Sequence, residues 1–187
     1  LYFVVSVLFC NFVALIFSYM TYSIFLNLEP YLAQWFRHEH GGNYPIRLKR
    51  GSAEADLLQV YLTPLPKTKL PKFTHSPEET EVIIPYFKHK DIRTYNHLPQ
   101  KGIILLQECI RTRFKVKLWK DLHTIGNVVK RTDQTIASWM EKNGIEVDDR
   151  NWNTIAKILQ RKRAVYTPNG RLTNHKSSKH SKKSSHL

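Results

Sequence analysis

The order of apolar and polar positions along the chain sets out a series of short elements. Residues 22–28 (YSIFLNL) are rich in aromatic and branched side chains with partial alternation, which predicts a first β-strand. Glu29-Pro30 then opens a helix, because proline suits the first helical turn, where its missing N–H would have no partner. Tyr31, Leu32, Trp35 and Phe36 fall at helical spacing, and Gly41-Gly42 supplies the stop. Residues 44–48 predict a short strand. Ser52 is a good N-cap for a helix over 53–61 that carries Leu57, Leu58 and Tyr61 on one face. Residues 63–79 read as a loop, since Pro64, Pro66, Pro71 and Pro77 interrupt both helix and sheet. Residues 81–87 (EVIIPYF) predict a further strand, with Pro85 putting it at a sheet edge or ending it. A basic turn region covers 88–98.

The second half changes period. From Pro99 to about Leu122, Ile103, Leu106, Ile110, Phe114 and Leu118 mark one apolar stripe, the signature of the longest helix. Arg111, Arg113, Lys115, Lys117 and Lys120 give the rest of its second half a basic surface, which a plain solvated helix face also explains. Two or three shorter helices follow, up to about Tyr166. In one of them Asp148-Asp149 is the cap and Trp152, Ile155, Ala156 and Leu159 the inner stripe. Pro168-Asn-Gly170 punctuates the end. From Arg171 onward the chain is Ser, Lys, His and Asn, too polar to bury a core, and is expected to be disordered. The predicted class is therefore α+β: short N-terminal strands and helices, a mainly helical C-terminal half and a disordered basic tail. The expected boundaries are 1–19, 20–98, 99–166 and 167–187.

The first of these segments stands apart. Residues 1–28 carry no charge, and such a run is long enough to cross a bilayer as a helix. It lacks the flanking Lys or Arg of an anchor or signal, and the first Met is Met20. Translated upstream sequence with a start at Met20 is the favoured reading of 1–19, ahead of a membrane anchor and of a buried core helix. The expected location is accordingly cytoplasmic, at the nucleoid, with membrane attachment as the alternative if residues 1–28 are an anchor.

Charge then narrows the function. The chain of 187 residues has a formal net charge of +14. From Asn151 to the end there are nine basic residues and no acidic one. Such an excess calls for a polyanion: DNA, RNA or an anionic lipid surface. Arg161, Lys162 and Arg163 lie at a helix C-terminus, where cations also suit the helix dipole. Arg171, Lys176, Lys179, Lys182 and Lys183 would extend them as a flexible arm that grips phosphates without reading sequence. A merely solubilising terminus is the plainer reading of that arm.

Residues 122–145 (LHTIGNVVKRTDQTIASWMEKNGI) resemble a helix-turn-helix, the unit that lays its second helix in the DNA major groove. Ile125 and Val129 would face inward from the first helix, with Gly126 allowing a close crossing. Thr132-Asp133 would cap the second helix, Ile136, Trp139 and Met140 would face inward, and Gly144 would end it. Gln134, Thr135 and Ser138 would then meet base edges or phosphates, beside an exposed Asp133. Lys130, Arg131 and Lys142 would hold phosphates. The turn departs from the pattern, with Lys130 where Gly is usual and Arg131 where an apolar residue usually sits. A helical hairpin packing its own core is the plain alternative, and Trp139 is then simply core.

The stretches 31–36 (YLAQWF), 85–88 (PYFK) and 151–157 (NWNTIAK) also resemble a family of short bacterial proteins associated with mobile elements. That resemblance implies a cytoplasmic protein near DNA transactions and brings no established activity or site. Nothing in the chain looks like an active site, and no cofactor is expected. Its seven glycines form no phosphate-binding loop. His38 and His40 stand two residues apart and so on different helix faces, and His175, His180 and His186 fall in the tail. Glu54, Asp56, Glu79 and Glu81 surround no recognised motif, and Cys10 and Cys109 read as ordinary thiols rather than a disulfide or metal pair. The expectation is a DNA-binding protein, regulatory or accessory to a mobile element, with DNA preferred over RNA. The alternatives are an RNA- or ribosome-binding protein and a membrane-anchored protein with a basic domain.

Overall fold

A computed structural model describes residues 22–68, 76, 78–123 and 132–166. Among them are three strands, β1 (Ser23–Asn27), β2 (Ile46–Arg47) and β3 (Glu79–Ile83). Five helices complete the α+β fold: α1 (Pro30–Glu39), α2 (Ala53–Tyr61), α3 (Gln100–Leu122), α4 (Thr132–Lys142) and α5 (Asp149–Tyr166). The predicted segments 1–19 and 167–187 lie outside the described residues, as do residues 69–75 and 77 of the proline-rich loop.

The sheet has the order β1-β3-β2. β3 runs antiparallel to β1, with Ser23 opposite Ile83 and Asn27 opposite Glu79, and parallel to β2, with Ile46 opposite Val82. The strand near Pro85 is therefore central rather than an edge. It starts two residues earlier than the apolar run suggests and ends before the proline. Pairing with β1 continues through the Ile84 N–H, which donates to the Tyr22 carbonyl at 2.9 Å. Pro85 has no N–H to offer beyond that point, so the ladder stops there. Thr80 and Val82 face the core, and Glu79, Glu81 and Ile83 are only partly covered.

α3 is the axis of the molecule. Gly102, Leu106, Ile110, Phe114, Leu118 and Leu122 form its buried line, at strict four-residue spacing, while Ile103 is half-buried. α1, α2 and α5 all pack on it. Tyr31, Leu32, Trp35 and Phe36 are the buried face of α1, as their spacing predicts. Phe114 gathers three aromatic neighbours: Tyr31 at 5.1 Å, Trp35 edge-on at 5.4 Å and Trp139 edge-on at 5.8 Å between ring centres. Tilted and edge-on pairs of this kind add to the apolar burial. One hydrophobic core thus runs without a break from Ile24 on β1 to Leu159 on α5.

α2 corrects the sequence reading. Ser52 does cap it, its Oγ accepting from the Ala55 N–H at 3.3 Å. The buried face, however, is Glu54, Ala55 and Leu58, with Leu57 and Tyr61 only half covered. Glu54 shares a face with Leu58 and Tyr61, and there it is ion-paired with Arg113 of α3.

α4 ends in a left-handed closure. Gly144 has φ +69°, and the Ile145 N–H returns to the Met140 carbonyl at 2.9 Å. A Cβ at Gly144 would lie 2.7 Å from His38 Cβ. Gly144→Ala should therefore cost at least the ~1–2 kcal/mol of a left-handed residue with a side chain, and more because His38 must move. Urea melts measure this, and a loss under about 0.5 kcal/mol would be the range of an ordinary surface site. α5 opens on Asp148, whose Oδ1 accepts from the Asn151 N–H at 2.6 Å. Its buried line is Asn151, Ile155 and Leu159.

Candidate nucleic-acid interface

α4 is the second helix of the predicted two-helix unit, and its sides are sorted as the spacing requires. Ile136, Trp139 and Met140 are buried, whereas Asp133, Gln134, Ser138 and Lys142 are exposed and Thr135 is half-buried. Gln134, Thr135, Ser138 and Lys142 line one open groove of about 760 Å³. The C-terminal ends of α1 and α3 form its other wall, through His38, Glu39, Lys117 and Asp121. The charges that line the groove are mixed in sign. Lys117 Nζ sits 3.5 Å from Asp121 Oδ2, and Trp139 Nε1 donates to that same oxygen at 2.9 Å. Trp139 is therefore a core residue with its polar tip satisfied at the groove.

The other predicted contacts are distributed unevenly. Arg161 is exposed near the end of α5, with Lys162 and Arg163 half-buried beside it. Lys130 and Arg131 lie outside the described residues, as do Arg171, Lys176, Lys179, Lys182 and Lys183. The predicted first helix, with Ile125, Gly126 and Val129, lies there too, and Leu122, assigned to its start, is the last residue of α3.

The basic face of α3 is largely neutralised from within. Arg111 reaches Glu29 at 3.3 Å and Glu108 at 3.9 Å. Arg113 is hydrogen-bonded to Glu54 and lies 3.9 Å from Glu39. These arginines hold α3 to its neighbours, so only part of that surface remains for an outside anion.

Around Glu54 is a second polar constellation. The Glu54 carboxylate is wholly buried, and the Arg113 guanidinium also stands 6.0 Å over the Trp35 ring. Burial works against the Arg113 charge, but the Glu54 hydrogen bond and charge, with Glu39 beyond, outweigh it and hold its pKa above the ordinary value. Burial pushes the His40 imidazole down; Glu54 and Glu39 oppose this, while Arg113 and Lys49 add to it. His40 Nδ1 accepts the Lys49 N–H at 3.1 Å, which places the proton of the neutral ring on Nε2. His40 Nε2 and Glu54 Oε2 are both buried without a partner among the described residues. Burial, with Glu54, also pushes the Cys109 thiol up against the opposing Arg113 charge, so it is a poor nucleophile. This cluster is a clasp between α1, α2 and α3.

Among the described residues no group of three or more His, Cys, Asp or Glu could hold a metal ion, and no helix is long and apolar enough to cross a membrane. No protein-family profile, curated protein or solved structure matches the chain.

Proposed function

We propose that this chain binds duplex DNA through its C-terminal helices, with the basic residues that follow clamping the phosphates, in a regulatory role or as an accessory to a mobile element. The observation that carries this reading is the sign of the charge from Asn151 onward: nine basic residues and no acidic one. Lys157, Arg161, Lys162 and Arg163 stand on α5, and Arg171, Lys176, Lys179, Lys182 and Lys183 follow it. On α3, Arg111 and Arg113 are engaged by Glu29 and Glu54, whereas Lys157 and Arg161 of α5 are exposed. Each Lys or Arg that neutralises a phosphate releases a counterion from the nucleic acid. A location at the nucleoid belongs to the same proposal.

The test is a salt titration of binding to duplex DNA and to structured RNA, for the full chain and for one lacking residues 171–187. The shortened chain should bind every DNA sequence more weakly by a similar factor. With five basic residues removed, its log–log salt slope should be shallower by up to about 4.5. Loss confined to one preferred sequence would make the tail a reader. Tighter binding to the RNA would move the function to RNA, and binding to neither would remove the proposal.

A further inference from the structure

We infer that the helix-turn-helix of this protein is α4–α5, one helix later than the spacing of residues 122–145 suggests, and that the outer face of α5 is what enters the DNA major groove. The inference rests on the DNA-binding reading above and names the helix that carries it.

The first support is the connection. In a DNA-reading unit of this kind two helices are joined by a short fixed turn of about three or four residues, and the second enters the groove. Between α3 and α4 lie residues 123–131; between α4 and α5 lie only residues 143–148. The latter turn is somewhat longer than the usual one, but it is tied at every step. Gly144 closes α4 in the left-handed region, and Ile145 inserts into the core. The Asn143 side chain donates to the Trp139 carbonyl at 2.8 Å. The Asn151 side chain spans back to the Glu146 carbonyl at 3.1 Å and to Asp148 Oδ2 at 2.9 Å. From α1, Gln34 Oε1 accepts the Glu146 N–H at 2.9 Å. A turn held in this way sets the angle between the two helices before any ligand arrives, which is what a reading helix needs.

The second support is the division of faces. α4 buries Ile136, Trp139 and Met140, and α5 buries Asn151, Ile155 and Leu159. Opposite that line, Arg150, Asn153, Lys157 and Arg161 are all exposed. Their spacing of three, four and four keeps them on one stripe, which runs roughly 16 Å along the helix. The stripe holds three cations, and the only acidic residue of α5 is Asp149 at its start. The major groove admits a single helix and presents acceptors at guanine and an acceptor–donor pair at adenine. Arg150 is the side chain for guanine. Asn153 is the side chain for adenine: one amide hydrogen is held by the Asp149 carbonyl at 2.7 Å, which leaves the second hydrogen and the Oδ1 acceptor for a base. Lys157 and Arg161 would flank them on phosphates. α4 faces a groove in which Lys117 and Lys142 are offset by Glu39 and Asp121; Arg150 also lines a pocket with Glu29, Glu78 and Glu79, so the contrast with α4 is carried by Asn153, Lys157 and Arg161.

The experiment begins by selecting a preferred sequence for the full chain from a pool of random duplexes. Binding of preferred and random duplexes is then measured for the full chain and for Asn153→Ala, Asn153→Gln and Arg150→Ala. Each of these is expected to reduce the preference by about tenfold or more, with random-sequence binding changed far less for the asparagine variants. Gln134→Ala and Thr135→Ala should leave the preference within a fewfold. Two results would overturn the inference while DNA binding itself stands: loss of preference with Gln134→Ala or Thr135→Ala but not with Asn153→Ala, or tight binding with no preferred sequence at all. No binding to duplex DNA by the unaltered chain would remove the underlying reading as well. Thermal melts of each variant check that the exposed substitutions leave the fold intact.

Discussion

Arg113→Met is expected to destabilise the fold by about 3 kcal/mol. Glu54 is wholly buried, and its Oε1 is bonded to Arg113. Its Oε2 already has no partner among the described residues, so losing the guanidinium leaves a buried carboxylate with neither a countercharge nor a hydrogen bond there. Removing one partner of a buried pair costs about 3–5 kcal/mol in general. The lower end applies because the Arg113 side chain is 36% exposed, and solvent can follow it inward. The stacking of Arg113 over Trp35 is lost as well. Urea denaturation measures the effect. Arg113→Met combined with Glu54→Leu should recover most of the loss, since an apolar pair of similar volume needs no compensation. A single-variant loss below about 1 kcal/mol, the range of a surface pair, would mean that Glu54 reaches water, and the clasp between α1, α2 and α3 would then be a minor contact.

Trp139→Ala is expected to cost about 3–5 kcal/mol. The ring is 6% exposed, packs edge-on against Phe114 and joins α4 to the aromatic group around α3. Truncation leaves a cavity at the point where α4 is held, and it frees Asp121 from the indole N–H. Trp139→Phe separates the two contributions, because it keeps much of the packing and removes the hydrogen bond; it should cost about 1–2 kcal/mol. An unchanged melting curve for Trp139→Ala together with lost DNA binding would reverse the assignment and make the indole a contact with the nucleic acid. If α4 serves as the supporting helix, binding should instead weaken in step with stability.

These two residues show how unevenly the molecule can be read in advance. Trp139 was legible as core, because Ile136, Trp139 and Met140 recur at helical spacing and Gly144 follows as a stop. The same holds for α1, for the four-residue repeat of α3 from Leu106 to Leu118, and for Asp148 and Ser52 as caps. All of these depend on groups within a turn or two of each other, so the chain states them locally. The predicted recognition residues Gln134, Ser138 and Lys142 were legible as exposed for the same reason.

What the sequence by itself determined is therefore the α+β class, the existence and inner faces of most helices, the caps, and the basic excess after Asn151. The tertiary structure alone decided the rest. β3 lies in the middle of the sheet because β2 comes to its free side in parallel, a pairing that depends on the path of the intervening chain rather than on the strand's own residues. α2 carries a wholly buried Glu54 beside Leu58, and its partner Arg113 lies 59 positions further along the chain. Asp121 is tied to Trp139 across 18 positions, and Gln34 fixes the α4–α5 turn from 112 positions away. Charge on its own gave every arginine of α3 and α5 the same value. Packing separated them, since a cation facing a buried carboxylate is held inside the fold, whereas Arg150, Lys157 and Arg161 remain exposed on α5. The physical reason is that helix periodicity and caps act within a turn or two, while ion pairs, strand pairing and long-range hydrogen bonds join residues that the chain keeps far apart.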